Sequence, residues 1–167
     1  MLEQTYLRAW AEVNDLTKAL DSSEFGRTCQ CLLALAFKEI GYRVSHFQHV
    51  GRPDFVIERS NEGYSVEVKA PLGKKVIIKP EDLLGIEGLG HKPMVAVLTY
   101  PELATRWLIV DATNLMPRIY SKSDLTRFSN GIIEKEVSSA FSKIIVKFKG
   151  RALTGASELR GLLKEQQ

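Results

Sequence analysis

The sequence predicts an α/β chain in which a central mixed β-sheet is flanked by helices, with an extra helix at the N-terminus. Three observations predict it. Residues 1–40 carry apolar side chains at helical spacing, broken once near Asp21. After Gly41 the apolar pattern shifts to the alternation of half-buried strands. Further on, Met94 to Leu98 and Trp107 to Val110 are short continuous apolar runs, as buried strands require.

Each element has its own signal. In residues 1–20, Tyr6, Leu7, Trp10, Val13, Leu16 and Leu20 form one broad stripe. Ser22 or Ser23 is a suitable cap for a second helix, whose apolar positions run from Phe25 through Cys29, Leu32, Leu33, Ala36 and Phe37 to Ile40, with Gly41 ending it. Tyr42 to Val50 reads as a first strand. Asp54 to Arg59 and Tyr64 to Ala70 follow, joined by the turn sequence Ser60-Asn61-Glu62-Gly63. Val76 to Ile78 extends the sheet, and Pro80-Glu81-Asp82 opens a short helix weakened by Gly85, Gly88 and Gly90. Beyond the two buried strands, Ser123 to Phe128 reads as helix, Ile144 to Phe148 as strand and Ser157 to Glu165 as a closing helix.

Composition narrows the function class. A chain of 167 residues with 44% apolar and 26% charged residues has enough material for one packed domain and is not compositionally disordered. Net charge is +3, a mild excess that permits a polyanionic partner without requiring one. Cys29 and Cys31 lie two apart on a helix and point to different sides, so free thiols in a reducing compartment are expected. The histidines, His46, His49 and His91, supply no zinc-ligand spacing. No basic segment followed by an apolar run opens the chain, and no stretch approaches membrane-spanning length, so an intracellular protein without a membrane partner is expected.

The informative region is Gly51-Arg52-Pro53-Asp54-Phe55-Val56-Ile57 followed by Tyr64-Ser65-Val66-Glu67-Val68-Lys69-Ala70. Alternation puts Glu67 and Lys69 on one face of a strand, roughly 7 Å apart. A hairpin returns Asp54 to the same end of the sheet. Two carboxylates and a lysine converging there suit Mg²⁺, with Mn²⁺ as a substitute, and the Val68 carbonyl is a further candidate ligand. Such a centre polarises a phosphate and acidifies a bound water, while the lysine steadies developing negative charge. The plain structural reading stands beside it: Glu-X-Lys is a common solvated strand face, and Pro-Asp often begins a strand.

Pro53-Asp54 followed by Glu67-Val68-Lys69 resembles the PD-(D/E)xK signature of the restriction-endonuclease-like nucleases. Within that superfamily the chain looks most like archaeal-type Holliday junction resolvases. These carry a glutamate at the start of the first core helix, then Asp and Glu-x-Lys on successive strands. The matching residues are Glu24, Asp54, Glu67 and Lys69, with gaps of thirty, thirteen and two. The resemblance covers about residues 22 to 110. It implies a restriction-endonuclease-like core at 22–110, preceded by a helical extension at 1–21 and followed by a C-terminal extension of the same domain at 111–167. It further implies a metal-dependent DNA endonuclease with Glu24, Asp54, Glu67 and Lys69 in catalytic roles. Glu24, Asp54, Glu67 and the Val68 carbonyl would serve the metal. Two features depart from the pattern: the helix before residue 22, and the glycine-rich segment from Pro80 to Gly90.

Around this centre, Arg27, Arg43, Arg52, Lys74 and Lys75 are candidate DNA-phosphate contacts, each with a solvated-surface alternative. Arg27, one turn after Glu24, can equally pair with it. Glu39 is a reserve acid. Lys143, Lys147, Lys149 and Arg151 form a second basic run, either a DNA contact or the protection of an edge strand. Trp10, Trp107 and Phe141 are expected in the core or a subunit contact. The leading expectation is an endonuclease acting on branched DNA as a homodimer, since paired cuts are served by twofold symmetry. The alternatives are a sequence-specific restriction or homing endonuclease on the same core, an RNA-directed nuclease, and an inactive DNA-binding or assembly protein.

Overall fold

The computed structural model describes residues 2–46, 51–88 and 90–164. The first helix, α1 (Leu2–Ala19), is followed by α2 (Ser22–Glu39). Its cap is Asp21, not Ser22 or Ser23: the Asp21 carboxylate accepts the Glu24 N–H at 2.8 Å, and an ionised acceptor is also favoured by the helix dipole.

The main sheet comprises β1 (Arg43–His46), β2 (Phe55–Arg59), β3 (Glu62–Lys69), β5 (Lys92–Leu98) and β6 (Trp107–Asp111), in the spatial order β1-β2-β3-β5-β6. Only β3 and β5 run parallel; the other neighbours are antiparallel, so the sheet is mixed as expected. Of the expected strand from Tyr42 to Val50, residues 47–50 lie outside the described residues, and so does His49. The tight turn between β2 and β3 places Ser60 at φ 56°, in the left-handed region.

Passing from β3 to β5 requires a crossover, and here it contains β4 (Lys75–Ile78) and α3 (Pro80–Ile86). β4 does not extend the main sheet. It pairs with β7 (Arg118–Ser121) in a separate two-stranded ribbon. β7 escapes sequence reading because it is short, follows Pro117 and buries only Tyr120. It leads into α4 (Lys122–Leu125) and a 3₁₀ turn over Thr126–Phe128.

Ile144 to Phe148 is not a strand. It lies inside α5 (Gly131–Ala152), which Asn130 caps by accepting the Ile133 N–H. The β-branched run imitates a strand locally, but Ile133, Val137, Ala140, Phe141, Ile144 and Ile145 are buried at helical spacing. The basic run is therefore helical and protects no strand edge; Lys149 bridges Glu12 and Asp15 on α1 at 2.7 and 2.8 Å. The last helix is α6 (Ser157–Lys164).

Two cores result, one on each face of the main sheet. The larger packs helices α1, α2, α5 and α6 against Phe55, Ile57, Val66, Ala96, Leu98 and Trp107. Trp107 meets Phe141 edge-on there, centroids 5.4 Å apart. Trp10 is only half-buried and donates to the Pro101 carbonyl. Cys29 and Cys31 are buried free thiols in the same core. The smaller core sits on the other face. It gathers Val95, Val97, Leu108 and Val110 beneath the ribbon, α3 and α4. Strand alternation puts Glu67 and Lys69 on that second face.

Candidate functional site

Asp54 immediately precedes β2, opposite β3. Its backbone N–H donates to the Val66 carbonyl at 2.9 Å, closing the ladder between the strands. Pro53, before it, has no N–H to continue that ladder. The Asp54 side chain acts as an acceptor in place of a backbone carbonyl: its Oδ2 accepts the Val68 N–H at 2.7 Å. The Val68 N–H therefore fixes the Asp54 carboxylate against β3 just beyond the end of the regular pairing.

Across the pair, Lys69 Nζ lies 3.2 Å from Glu67 Oε1 and 2.7 Å from Asp82 Oδ2. The side chains of Lys69, Glu67 and Asp82 are 21%, 14% and 12% exposed, so the cluster is shielded yet reachable from solvent. Asp82 is the participant that sequence reasoning passed over, treating it as part of a helix start. It is one: Oδ2 also accepts the Lys79 N–H at 2.8 Å in the first turn of α3. The available signal was the Pro-Glu-Asp opening, which puts a carboxylate at a helix N-terminus immediately after a strand.

Electrostatics of the cluster are unusual. Burial pushes the Asp54 carboxyl up to about 6; the Val68 N–H and Lys69 oppose the rise and Asp82 adds to it. Burial, then the Asp54 charge, push Glu67 further, to about 8, against the pull of Lys69. For Lys69, burial works to depress the ammonium, but Asp82 and Glu67 outweigh it and hold it above its ordinary value. Asp82 resists burial through Lys69 and stays below the usual carboxylate range. Two carboxyls whose ionisation is opposed by burial, one of them also by the charge of the other, are a place where an added cation is stabilising.

Glu24 is placed differently. Its Oε1 accepts the Ala156 N–H at 2.7 Å, and Oε2 pairs with Arg27 at 3.1 Å. Gly155 approaches so closely that a Cβ there would sit 2.5 Å from Glu24 Oε1. Glu24 thus ties α2 to the turn before α6. Arg43 pairs with Glu58, which also meets His91 at 3.0 Å. Arg52 is exposed beside Asp54. Lys74 and Lys75 are exposed at the start of β4. A hollow of about 980 Å³ near the N-terminus of α5, lined in part by Asp111, Arg127, Asn130 and Lys135, contains none of these residues.

No family model matches the chain, and no curated protein does. Among solved structures it is similar to Hjc of Archaeoglobus fulgidus, a Holliday junction resolvase from an archaeal hyperthermophile. The TM-score is 0.50 at 13% identity, over 62% of this chain and 89% of that one. The likeness is one of fold, and the chain has a restriction-endonuclease-like architecture. Among the described residues no helix is long and apolar enough to cross a membrane.

Proposed function

We propose that this chain is a metal-dependent DNA endonuclease hydrolysing phosphodiester bonds in branched or otherwise structured DNA. The observation that carries the proposal is the convergence of Asp54, Glu67 and Lys69 at one shielded but reachable end of the β2–β3 pair. The similarity of fold to a junction resolvase supports it.

The donor set fits Mg²⁺ or Mn²⁺. Among the described residues no three His, Cys, Asp or Glu side chains form a closed cage, and magnesium needs only one or two carboxylates with waters completing its shell. Asp54 and Glu67 are the holding residues. The Val68 carbonyl is the third: its N–H faces Asp54, and the N–H and C=O of a strand residue point to the same neighbour. When bound, the cation polarises the phosphate and acidifies a water. Lys69 orients that water or stabilises the charge growing on the phosphoryl oxygens, and Asp82 holds the ammonium in position. Glu24 is assigned a tethering role through Ala156. Two coordinated cuts call for a twofold pair of chains.

The test is cleavage of labelled four-way, flapped and linear DNA, and of matched RNA, with Mg²⁺ or Mn²⁺. Asp54→Ala and Lys69→Ala should each lower the rate by about 10²-fold or more while DNA binding largely survives. Unchanged cleavage in both removes the site. Preference for linear duplex at a fixed sequence would instead indicate a restriction-type enzyme.

A further inference from the structure

The β4–β7 ribbon has two unlike faces. Its inner face, Val76, Ile78 and Tyr120, is buried in the second core. Its outer face carries Ile77 and Ile119, direct cross-strand partners that are 55% and 60% exposed. An isoleucine pair standing side by side on a solvent face contributes nothing to the core and is an anomaly for a surface strand.

Around this pair the charge is one-sided. Residues 74–79 and 116–122 contain Lys74, Lys75, Lys79, Arg118 and Lys122, and no acid. The first four are exposed; Lys122 is buried and donates to the Tyr100 and Pro71 carbonyls. Arg118, opposite Ile78 and 4.5 Å from the centroid of the Tyr120 ring, belongs to the other side of the ribbon, whereas Lys75 and Lys79 alternate onto the isoleucine face. A chain of net charge +3 has thus concentrated four exposed cations on one small ribbon.

The ribbon is continuous with the cluster. β4 ends at Ile78 and α3 begins at Pro80; Lys79 between them donates its N–H to Asp82, whose same oxygen meets Lys69. The strand that carries Ile77 is therefore joined, through Lys79 and the first turn of α3, to the acid that holds Lys69.

We propose that this ribbon is a branch-reading element: Ile77 and Ile119 lie against unstacked bases at a DNA branch point, while Lys75 and Lys79, on the same face, hold the flanking phosphates. A second copy of the chain is the poorer occupant, because a symmetric contact would set cation against cation. A polyanion with exposed apolar bases satisfies both halves of the surface. The inference rests on the endonuclease reading and adds to it how branched substrates are selected.

The experiment measures anisotropy of a labelled four-way junction, and of linear duplex made from the same arms, with full-length protein in EDTA so that nothing is cut. Ile77→Thr with Ile119→Thr keeps β-branching and should reduce the junction-over-duplex affinity ratio about tenfold. Lys75→Ala with Lys79→Ala should weaken both substrates and lower the slope of log affinity against log salt by about two. All four side chains are exposed, and melting curves confirm that each variant is folded. An unchanged ratio in the isoleucine pair, or an unchanged slope in the lysine pair, overturns the proposal. A change of oligomeric state by light scattering without a change of ratio also overturns it and makes the face a contact between copies. Wild-type protein that binds neither DNA defeats the endonuclease reading itself. Wild-type that cuts branched DNA while both variants bind normally defeats the ribbon alone.

Discussion

Glu67→Gln is expected to stabilise the metal-free protein at alkaline pH and to erase its response to Mg²⁺. Burial and the neighbouring Asp54 charge push the Glu67 carboxyl from 4.5 to about 8. At 1.36 kcal/mol per unit, that displacement corresponds to roughly 4–5 kcal/mol of disfavoured ionisation once the group is charged. Lys69 and the open side of the cluster let the structure relax, so about 2–3 kcal/mol is the expected measured gain. For a chain of this size that is a rise in Tm of roughly 5–10 °C. The direction with pH follows from proton counts. The folded-state values lie above the ordinary ones, so between about 4.5 and 8 the native protein holds more protons than the unfolded chain. Stability of the wild type therefore falls as pH rises through that interval, and the glutamine variant should escape much of the fall. Near pH 5 the two proteins should melt close together. Saturating Mg²⁺ should raise the wild-type Tm most at the alkaline end, where both carboxylates are available, by the mass-action amount of about 2.7 kcal/mol at a hundredfold excess over Kd. Scanning fluorimetry at both pH extremes, in EDTA and in Mg²⁺, measures all of this. A glutamine variant that melts below wild type at pH 8, or that keeps the full Mg²⁺ shift, refutes the reasoning.

Asp82→Asn should preserve an acceptor for the Lys79 N–H but discharge the partner of Lys69, so kcat should fall about tenfold with KM little changed, and the alkaline limb of the pH–rate profile should move to lower pH. A profile that does not move shows Asp82 to be a helix cap alone. Glu24→Gln retains an acceptor for Ala156 and should lower stability by about 1 kcal/mol, read by melting, with cleavage reduced less than tenfold. A loss of 10² or more would return Glu24 to the metal set that the sequence resemblance implies.

How much of this was legible in the sequence depends on where the signal resides. Helix α2 and strands β2, β3, β5 and β6 carry uninterrupted periodicity, and their packing obeys it. The C-terminal part does not signal itself so plainly. Ile144-Ile145-Val146 is β-branched and local propensity favours a strand, yet a cap at Asn130 and a buried stripe running from Ile133 to Ile145 override it. β7 is half-exposed and exists because β4 needs a partner, which is a tertiary fact with no local imprint. In the cluster, the placement of Glu67 and Lys69 on one face follows from strand period alone. The contact of Asp82 with Lys69 depends on the angle at which α3 leaves β4, which no spacing encodes.

The glycine-rich crossover, at first sight a weak helix where a firm one was expected, has a physical reason in the same geometry. Gly85 faces the Arg52 backbone: a Cβ there would stand 3.3 Å from the Arg52 carbonyl oxygen. The bare position lets α3 pack against the segment that delivers Pro53 and Asp54. That approach serves two ends. At one end of α3, Leu83 and Ile86 close the second core; at the other, Asp82 reaches Lys69. A stronger helix former at Gly85 would favour the helix by about 1 kcal/mol and push it away from the Asp54 turn. The apparent defect in local propensity is therefore what allows the N-terminus of α3 and the Asp54 and Glu67 carboxylates to share one end of the β2–β3 pair. Local rules give way here at the point where the chain has assembled its charges.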